Sequence, residues 1–376
     1  MNDDIKKDIK KFGIDIIKCL DDNLLCGTGK LSFSFVNLIK KIFINRKPPL
    51  DWDGKEWPNF YRNENSLLWI KKNNKKIYLP QKILIGPWEA KEYFDKIHVK
   101  LKNQNFRPPY KNEKCLKFYI KEGDFNGENA RLVSYDKNDK IMIFQGAYYF
   151  DWIMTNLALD FDRSPLPTLR EETSISGKLQ PLEDSPLANI TGINGLLFSN
   201  DGYMIYQKRN TKVLVRPNQL CSGFSGTVDK IDIEHLVKLE NPVLSKMDTA
   251  REAVEEIGIF RQHIKGIEFL GLTRELIRGG TPELFYAIDL NLSRDKILTL
   301  IPQHKEGFIF SVFFGPYAKS FNNSNNTLHE RTLWQLMDRI EDKTRAPISI
   351  PFLTNLALWY WQWGNDQVGK GSLQYN

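Results

Sequence analysis

The stretch Arg251-Glu252-Ala253-Val254-Glu255-Glu256-Ile257-Gly258-Ile259 constrains this chain more than any other. Met247, Ala250, Val254 and Ile257 recur at the spacing of an amphipathic helix, whose apolar stripe has to be buried on one side. The spacing predicts a helix over about 246–257, with Ser245 as its N-cap and Gly258 as the left-handed residue that ends it. Glu252 precedes Glu255 by one step and Glu256 by another of the helix-neighbour spacings, so the three carboxylates share roughly one face. Each like-charged pair costs roughly a few tenths of a kcal/mol on an isolated helix, and acidic residues near a C-terminus oppose the macrodipole. Hard divalent cations relieve such a face because they take oxygen ligands. A solvated acidic face is the plain alternative.

Around this helix the chain alternates in texture. Ile193 to Phe198 and Gly202 to Gln207 read as strands joined at Ser199-Asn200-Asp201-Gly202, and Asp-Gly after a β-run is a strong hairpin signal. A Gly/Ser-rich loop from Ser222 to Gly226 follows, then the helix, a strand from Ile267 to Thr273, a loop with Gly279-Gly280, and a strand from Glu283 to Leu290. This alternation predicts an α/β layered domain over 186–376. Upstream, Ile5, Ile9, Phe12, Ile16 and Leu20 trace an apolar stripe, and a second helical stretch runs from Phe33 to Ile44. Residues 1–50 are thus expected to form a helical extension that ends at Pro48-Pro49. Residues 51–185 mix short β-like runs (Leu67 to Ile70, Lys76 to Leu79, Lys140 to Phe144) with turns, an α+β region. The Pro-, Ser- and Glu-rich stretch from Ser164 to Pro186 is the expected linker.

Composition removes several classes of function. A chain of 376 residues with 12% aromatic content is neither disordered nor collagen-like. It has no run of about 18 uncharged apolar residues to span a membrane. Its first residues carry lysines and aspartates where a signal peptide needs an apolar core, so a cytoplasmic location is expected. Cys19, Cys26, Cys115 and Cys221 are scattered, which argues for reduced thiols over a zinc site or disulfides. Residues 1–150 hold 29 Lys/Arg against 19 Asp/Glu, and residues 151–376 hold 24 against 27. The basic excess is lysine mixed with Asn and Ile, as in Lys71-Lys72-Asn73-Asn74-Lys75-Lys76, a solvated surface with no nucleic-acid motif to support it. Gly27-Thr28-Gly29-Lys30 is not a P-loop, because Leu24 stands where the first glycine belongs and Leu31 where the hydroxyl belongs. Gly223-Phe224-Ser225-Gly226 lacks the spacing of a nucleophile elbow, and the histidines show no paired spacing.

The pattern Arg251-Glu252-x-x-Glu255-Glu256-x-Gly258-Ile259 resembles the second half of the Nudix box, R-E-U-x-E-E-x-G-U with U aliphatic. The regular first half would put Gly at 237 and Glu at 243, where Val237 and Val243 stand. Ser225-Gly226-Thr227-Val228-Asp229 takes its place eleven residues earlier, so the box carries an insertion and Asp229 replaces the acidic residue. An interrupted box, with Arg131-Leu132-x-Ser134, Tyr149-x-x-Trp152-x-x-Thr155-Asn156, Pro186-Leu187, Lys208-Arg209, Leu270-Gly271-x-x-Arg274 and Glu283 to Tyr286, is similar to the UDP-sugar diphosphatase branch of Nudix hydrolases.

The resemblance implies a Nudix α/β/α sandwich with a mixed sheet, preceded by the α+β region. It implies Mg²⁺ or Mn²⁺ on Glu252, Glu255, Glu256 and the Gly226 carbonyl, with Arg251 orienting Glu252. Glu283 is expected as an additional ligand or base, with Glu275 nearly as well placed. Arg274 and Arg278 are expected on phosphate, and Tyr149, Trp152 and Asn156 around a uracil or sugar. The implied reaction is metal-dependent hydrolysis of a nucleoside diphosphate linked to another moiety, a UDP-sugar giving UMP and sugar 1-phosphate. The alternative is a catalytically weak Nudix-like protein that senses nucleotides or binds a partner. A protein partner or self-association is expected through the N-terminal helices.

Overall fold

The computed structural model describes residues 61, 63–72, 74–109, 113–120, 124–161, 163, 166–211, 213–301, 309–315, 333–362 and 368–371. The expected N-terminal helices, the turn at Gly27 to Lys30 and the break at Pro48-Pro49 lie outside these residues. In chain order the strands are β1 (Leu67–Lys72), β2 (Lys75–Ile85), β3 (His98–Lys102), β4 (Glu128–Asp136), β5 (Ile141–Tyr148), β6 (Ser174–Ile175), β7 (Lys178–Leu179) and β8 (Gly192–Phe198). There follow β9 (Met204–Arg209), β10 (Leu220–Cys221), β11 (Phe224–Thr227), β12 (Ile264–Glu275), β13 (Thr281–Leu290), β14 (Ile309–Gly315) and β15 (Val368–Gly371).

β13 shows why the sheet is central. Leu284, Tyr286 and Ile288 face one core and Phe285 and Ala287 the other, as strand alternation requires. A strand buried on both faces reads as a continuous apolar run, and Glu283 to Leu290 does so. Among the described residues the sheet runs β10-β9-β8-β13-β12-β2-β1-β15, with β11 also on β8 and β14 on β9. β8 and β13 are parallel, and the other pairs in this sheet are antiparallel, so the sheet is mixed. On the face shared by Phe285 lies the buried helix Ile350–Gln362. On the other lie the helices Arg251–Ile257 and Lys230–Val237 and a second sheet, β3-β5-β4. The chain is therefore of the α/β class, a mixed sheet between helices, as expected. No helix among the described residues is long and apolar enough to cross a membrane.

The expected hairpin is present: Ser199 donates its amide to Tyr203 O at 2.8 Å, and Gly202 turns at φ 85°. The expected linker is not a boundary between two cores. β2 pairs with β12 along Leu272–Glu275, and Ile85 and Ala90 share a core with Ile193 and Leu197. The stretch from 166 onward also has structure of its own, a short helix Leu169–Thr173 and the hairpin β6–β7.

β8 positions the functional residues. It pairs with β9 only at Leu197 and Phe198; from Gly192 to Gly195 its partner on that side is β11. This divergence lays Gly226 beside Ile193 at the end of the sheet. The insertion that follows forms the helix Lys230–Val237, which buries Ile233 and Leu236 under the second sheet before the chain returns to Arg251.

Candidate active site

The carboxylate-bearing helix spans Arg251–Ile257 and buries Ala253 and Ile257. Gly258 ends it at φ 74°, where Gly258 N donates to Val254 O at 3.0 Å and Ile259 N to Ala253 O at 3.1 Å. The helix starts later than the apolar spacing predicts. Leu244–Lys246 is a separate 3₁₀ turn, Met247 is extended, and the Asp248 side chain accepts the Ala250 amide at 3.1 Å, so Ser245 caps nothing here. A short acidic side chain that takes a nearby amide competes with the helix for it.

The two halves of the motif meet in space. A Cβ at Gly226 would overlap the Glu252 carboxylate, so only glycine admits this approach. Arg251 joins the halves. Its Nη2 lies 2.8 Å from Glu252 Oε1, 3.3 Å from Asp229 Oδ2 and 3.2 Å from Thr227 O, and its Nε donates to Asp232 Oδ2 at 3.1 Å. Burial pulls Arg251 down, but Glu252, Asp232 and Asp229 outweigh it and hold the guanidinium firmly protonated. Burial raises Asp229, with Arg251 opposing.

The three carboxylates of the helix do not form one cluster. Glu255 is exposed and takes Arg251 Nη1 on both oxygens at 2.9 Å. Glu256 is buried, and its Oε2 accepts from Gln207 Nε2 at 2.8 Å and from the Ser225 amide at 3.3 Å. Burial pushes Glu252 up to about 7, with Arg251 pulling down and Glu255 pushing further. Burial pushes Glu256 up to about 8, and Glu252 adds to it. Among the described residues no three His, Cys, Asp or Glu side chains are grouped to hold a metal ion. Two of the expected carboxylates do fit a hard cation: Glu252 and Glu256 are desolvated, repel each other and offer oxygen donors beside Gly226. Glu255 is committed to Arg251 instead.

A second charged centre lies at the same end of the sheet. Glu283 follows Phe285 in the alternation of β13, so it points away from the face that carries Glu252 and is not grouped with it. It adjoins Glu275: Arg216 forms an ion pair with Glu275 Oε1, and Arg278 Nε lies 3.7 Å from Glu275 Oε2. Burial raises Glu275, but Arg216 and Arg278 outweigh it and hold it below the usual range. Burial, and then Glu275, push Glu283 above its usual range, with Arg216 and Arg278 opposing. The Arg278 guanidinium sits 5.3 Å from the Trp152 ring, which stacks on Tyr149 at 5.8 Å.

Two expected substrate contacts are used inside the fold. Arg274 donates from Nε to Gly280 O at 3.0 Å and from Nη1 to Gln180 O at 2.7 Å. Asn156, in the π-helical turn Ile153–Leu157, donates to Arg278 O at 2.9 Å and to Asn189 Oδ1 at 3.0 Å, and accepts the Asn189 amide at 2.8 Å. Gln207, Asp232 and Arg216 were not singled out by the sequence, where no motif or periodicity marks them. Asp232 sits three residues after Asp229 at the start of the inserted helix, the one local signal that was available.

Among solved structures, DR0079 from Deinococcus radiodurans is similar to this chain at 15% identity and TM-score 0.27, covering 43% of this chain and 78% of its own. A Nudix hydrolase from M. smegmatis, RenU, is similar at 10% identity and TM-score 0.24, covering 48% of this chain and 89% of its own. Scores this low carry no weight for fold or function. No family model matches the chain. No curated protein matches it.

Proposed function

We propose that this chain is a Nudix-type hydrolase of a nucleoside diphosphate linked to another moiety, with a UDP-sugar as substrate and UMP and sugar 1-phosphate as products. The observation that carries this reading is the meeting of Gly226 with Glu252, locked by Arg251 onto Asp229 and Asp232 across the inserted helix. An arrangement that keeps a half-buried Glu252 in repulsion with the buried Glu256 costs stability and is hard to explain as structure alone.

Glu252, Glu256 and the Gly226 carbonyl would hold Mg²⁺ or Mn²⁺, which when bound neutralises diphosphate oxygens and lowers the pKa of water. Arg251 fixes the orientation of Glu252, and Gln207 with the Ser225 amide fixes Glu256. In the reaction, water oxygen bonds to one phosphorus while the bridging P–O bond breaks. The leaving phosphate keeps the electron pair, and a box carboxylate takes the water proton. The half-buried Tyr149, backed by the buried Trp152, would offer flat apolar surface for the base or sugar.

The test is a turnover screen of UDP-sugars, ADP-ribose and dinucleotide polyphosphates with Mg²⁺ and with Mn²⁺. Release of UMP from a UDP-sugar, lost in Glu252→Gln, supports the reading. Nucleotides that raise the melting temperature and are never cleaved would favour a sensing protein.

A further inference from the structure

Large apolar side chains left in water are ordinary on a protein surface when they stand alone. Trp88, Leu166 and Ile175 are of this kind. Phe125 is 85% exposed, more than any other large apolar side chain among the described residues, and its mount sets it apart. A Cβ at Gly127 would come within 3.1 Å of its ring, so the phenyl rests against bare backbone and leaves nearly all of its surface to water.

The chain that follows Phe125 is bonded at every residue, first to one place and then to another. Asn126 Oδ1 accepts the Phe150 amide at 2.8 Å, and Gly127 O accepts the Tyr149 amide at 2.9 Å. Glu128 Oε1 accepts from Lys230 Nζ at 3.0 Å, at the start of the inserted helix. Asn129 Nδ2 donates to Thr227 Oγ1 at 3.1 Å and to Asp229 Oδ1 at 2.8 Å, and Ala130 N donates to Val228 O at 2.8 Å. One end of this stretch is thus tied to the turn that carries Tyr149 and Trp152. The other is tied to the segment that Arg251 joins to Glu252. Asp124, on the other side of Phe125, acts on Tyr149 together with two arginines: burial raises that phenol, Arg278 and Arg209 oppose, and Asp124 adds to the rise. Phe125 and Asn129 are four residues apart, at most on the order of 13 Å in extended chain. That is the scale of a nucleotide measured from base to diphosphate.

We infer that Phe125 is a stacking surface for the nucleobase of the substrate, mounted beside the Tyr149 turn at the approach to the Gly226–Glu252 contact. A protein partner would need a contiguous apolar patch, and the chain neighbours of Phe125 are Asp124, Asn126, Gly127 and Glu128. A base needs one flat apolar face. Every base has such a face of its own, so the ring rewards a nucleotide over its base-free fragment without choosing among bases. The inference rests on the proposed function for the substrate that brings the base, and it adds to that site a residue outside the box and outside the Tyr149–Trp152 pair.

The experiment is calorimetric titration of the full chain in Mg²⁺ buffer, once with UMP and once with ribose 5-phosphate, which lacks the base. Wild type should bind UMP the more tightly. Phe125→Ala and Phe125→Leu should each weaken UMP about tenfold, the worth of one base–aromatic stack, and leave ribose 5-phosphate unchanged. Phe125→Tyr should restore UMP affinity. In turnover of UDP-glucose, Phe125→Ala should raise KM about tenfold at constant kcat, as loss of uniform binding does. A side chain this exposed can be replaced without loss of the fold, and Trp88→Ala, which removes an exposed ring elsewhere, should match wild type throughout. No UMP binding by wild type, or UMP binding by Phe125→Ala or Phe125→Leu equal to wild type, overturns the inference, as does an equal loss in Trp88→Ala. UMP binding that depends on Phe125, without turnover of any substrate, overturns only the hydrolase. Turnover with KM unmoved in Phe125→Ala overturns only the stacking surface.

Discussion

Glu252 with Glu256, and Glu275 with Glu283, are both carboxyl pairs held largely out of water, yet they answer the cost of burial differently. In the second pair Arg216 and Arg278 hold Glu275 low while Glu283 is raised beside it, so the pair is settled by groups the chain itself supplies. In the first, Arg251 reaches Glu252 only, and Glu256 has two neutral donors, the Gln207 amide and the Ser225 N–H. Neutral donors orient a carboxylate without cancelling its charge. Under the proposed function, a pair oriented this way would take an external cation; a pair compensated from within belongs to the protein's own electrostatics.

The largest expected effect separates the pairs by turnover. Glu252→Gln and Glu256→Gln should each lower single-turnover cleavage of UDP-glucose by roughly 10²–10⁴-fold with little change in substrate affinity, whereas Asp229→Asn should be milder. Equal losses in affinity and turnover would break the contrast. Gly226→Ala should come next. Its Cβ displaces the end of a flexible side chain, so turnover should fall severalfold or more while the melting temperature moves little.

Stability should show the opposite ranking. Glu275→Gln removes the counter-charge of Arg216 and Arg278 and should cost about 3 kcal/mol in urea unfolding, as breaking a buried pair does. The pH dependence has a fixed sign. Glu256 in the metal-free fold is raised from 4.5 to about 8, so the folded state holds its proton more tightly than the unfolded. Its contribution is therefore fully present below pH 4.5 and lost as pH rises toward about 8. In EDTA, Glu256→Gln should flatten that decline and be more stable than wild type at pH 8, by on the order of 1–2 kcal/mol. Identical pH profiles would show that the carboxylate is solvated. The smallest effect is expected from deleting residues 1–45, which should leave cleavage intact; a folded truncation without turnover would show that they help build the site.

Local chemistry was legible in the sequence, and distant pairing was not. Asp201-Gly202 marks its hairpin, and the β-runs at Ile267 and Glu283 became β12 and β13, because turn residues and apolar runs act over a few positions. Nothing local says that β2 lies beside β12, which fixes the extent of the sheet and removes the expected boundary near 186. The same limit holds at the site. Arg251, Glu252 and Glu256 stand in one short motif, but Gln207 comes from β9 and Arg216 from a loop, each brought in by the sheet. Arg274 and Arg278 look alike in sequence. The left-handed turn at Gly279 and Gly280 presents a carbonyl to the first and none to the second.

The far edge of the sheet bears on how the chain is made. β1 pairs with β15, Leu67 opposite Gly371 and Ile70 opposite Val368. A ribosome delivers β1 early and β15 only after the remaining strands have emerged, so for most of synthesis one side of β1 has exposed N–H and C=O groups. Two nascent or refolding chains that meet in that interval each offer an unpaired edge to the other. Refolding yield should therefore fall with protein concentration, and β1 is where off-pathway pairing would begin.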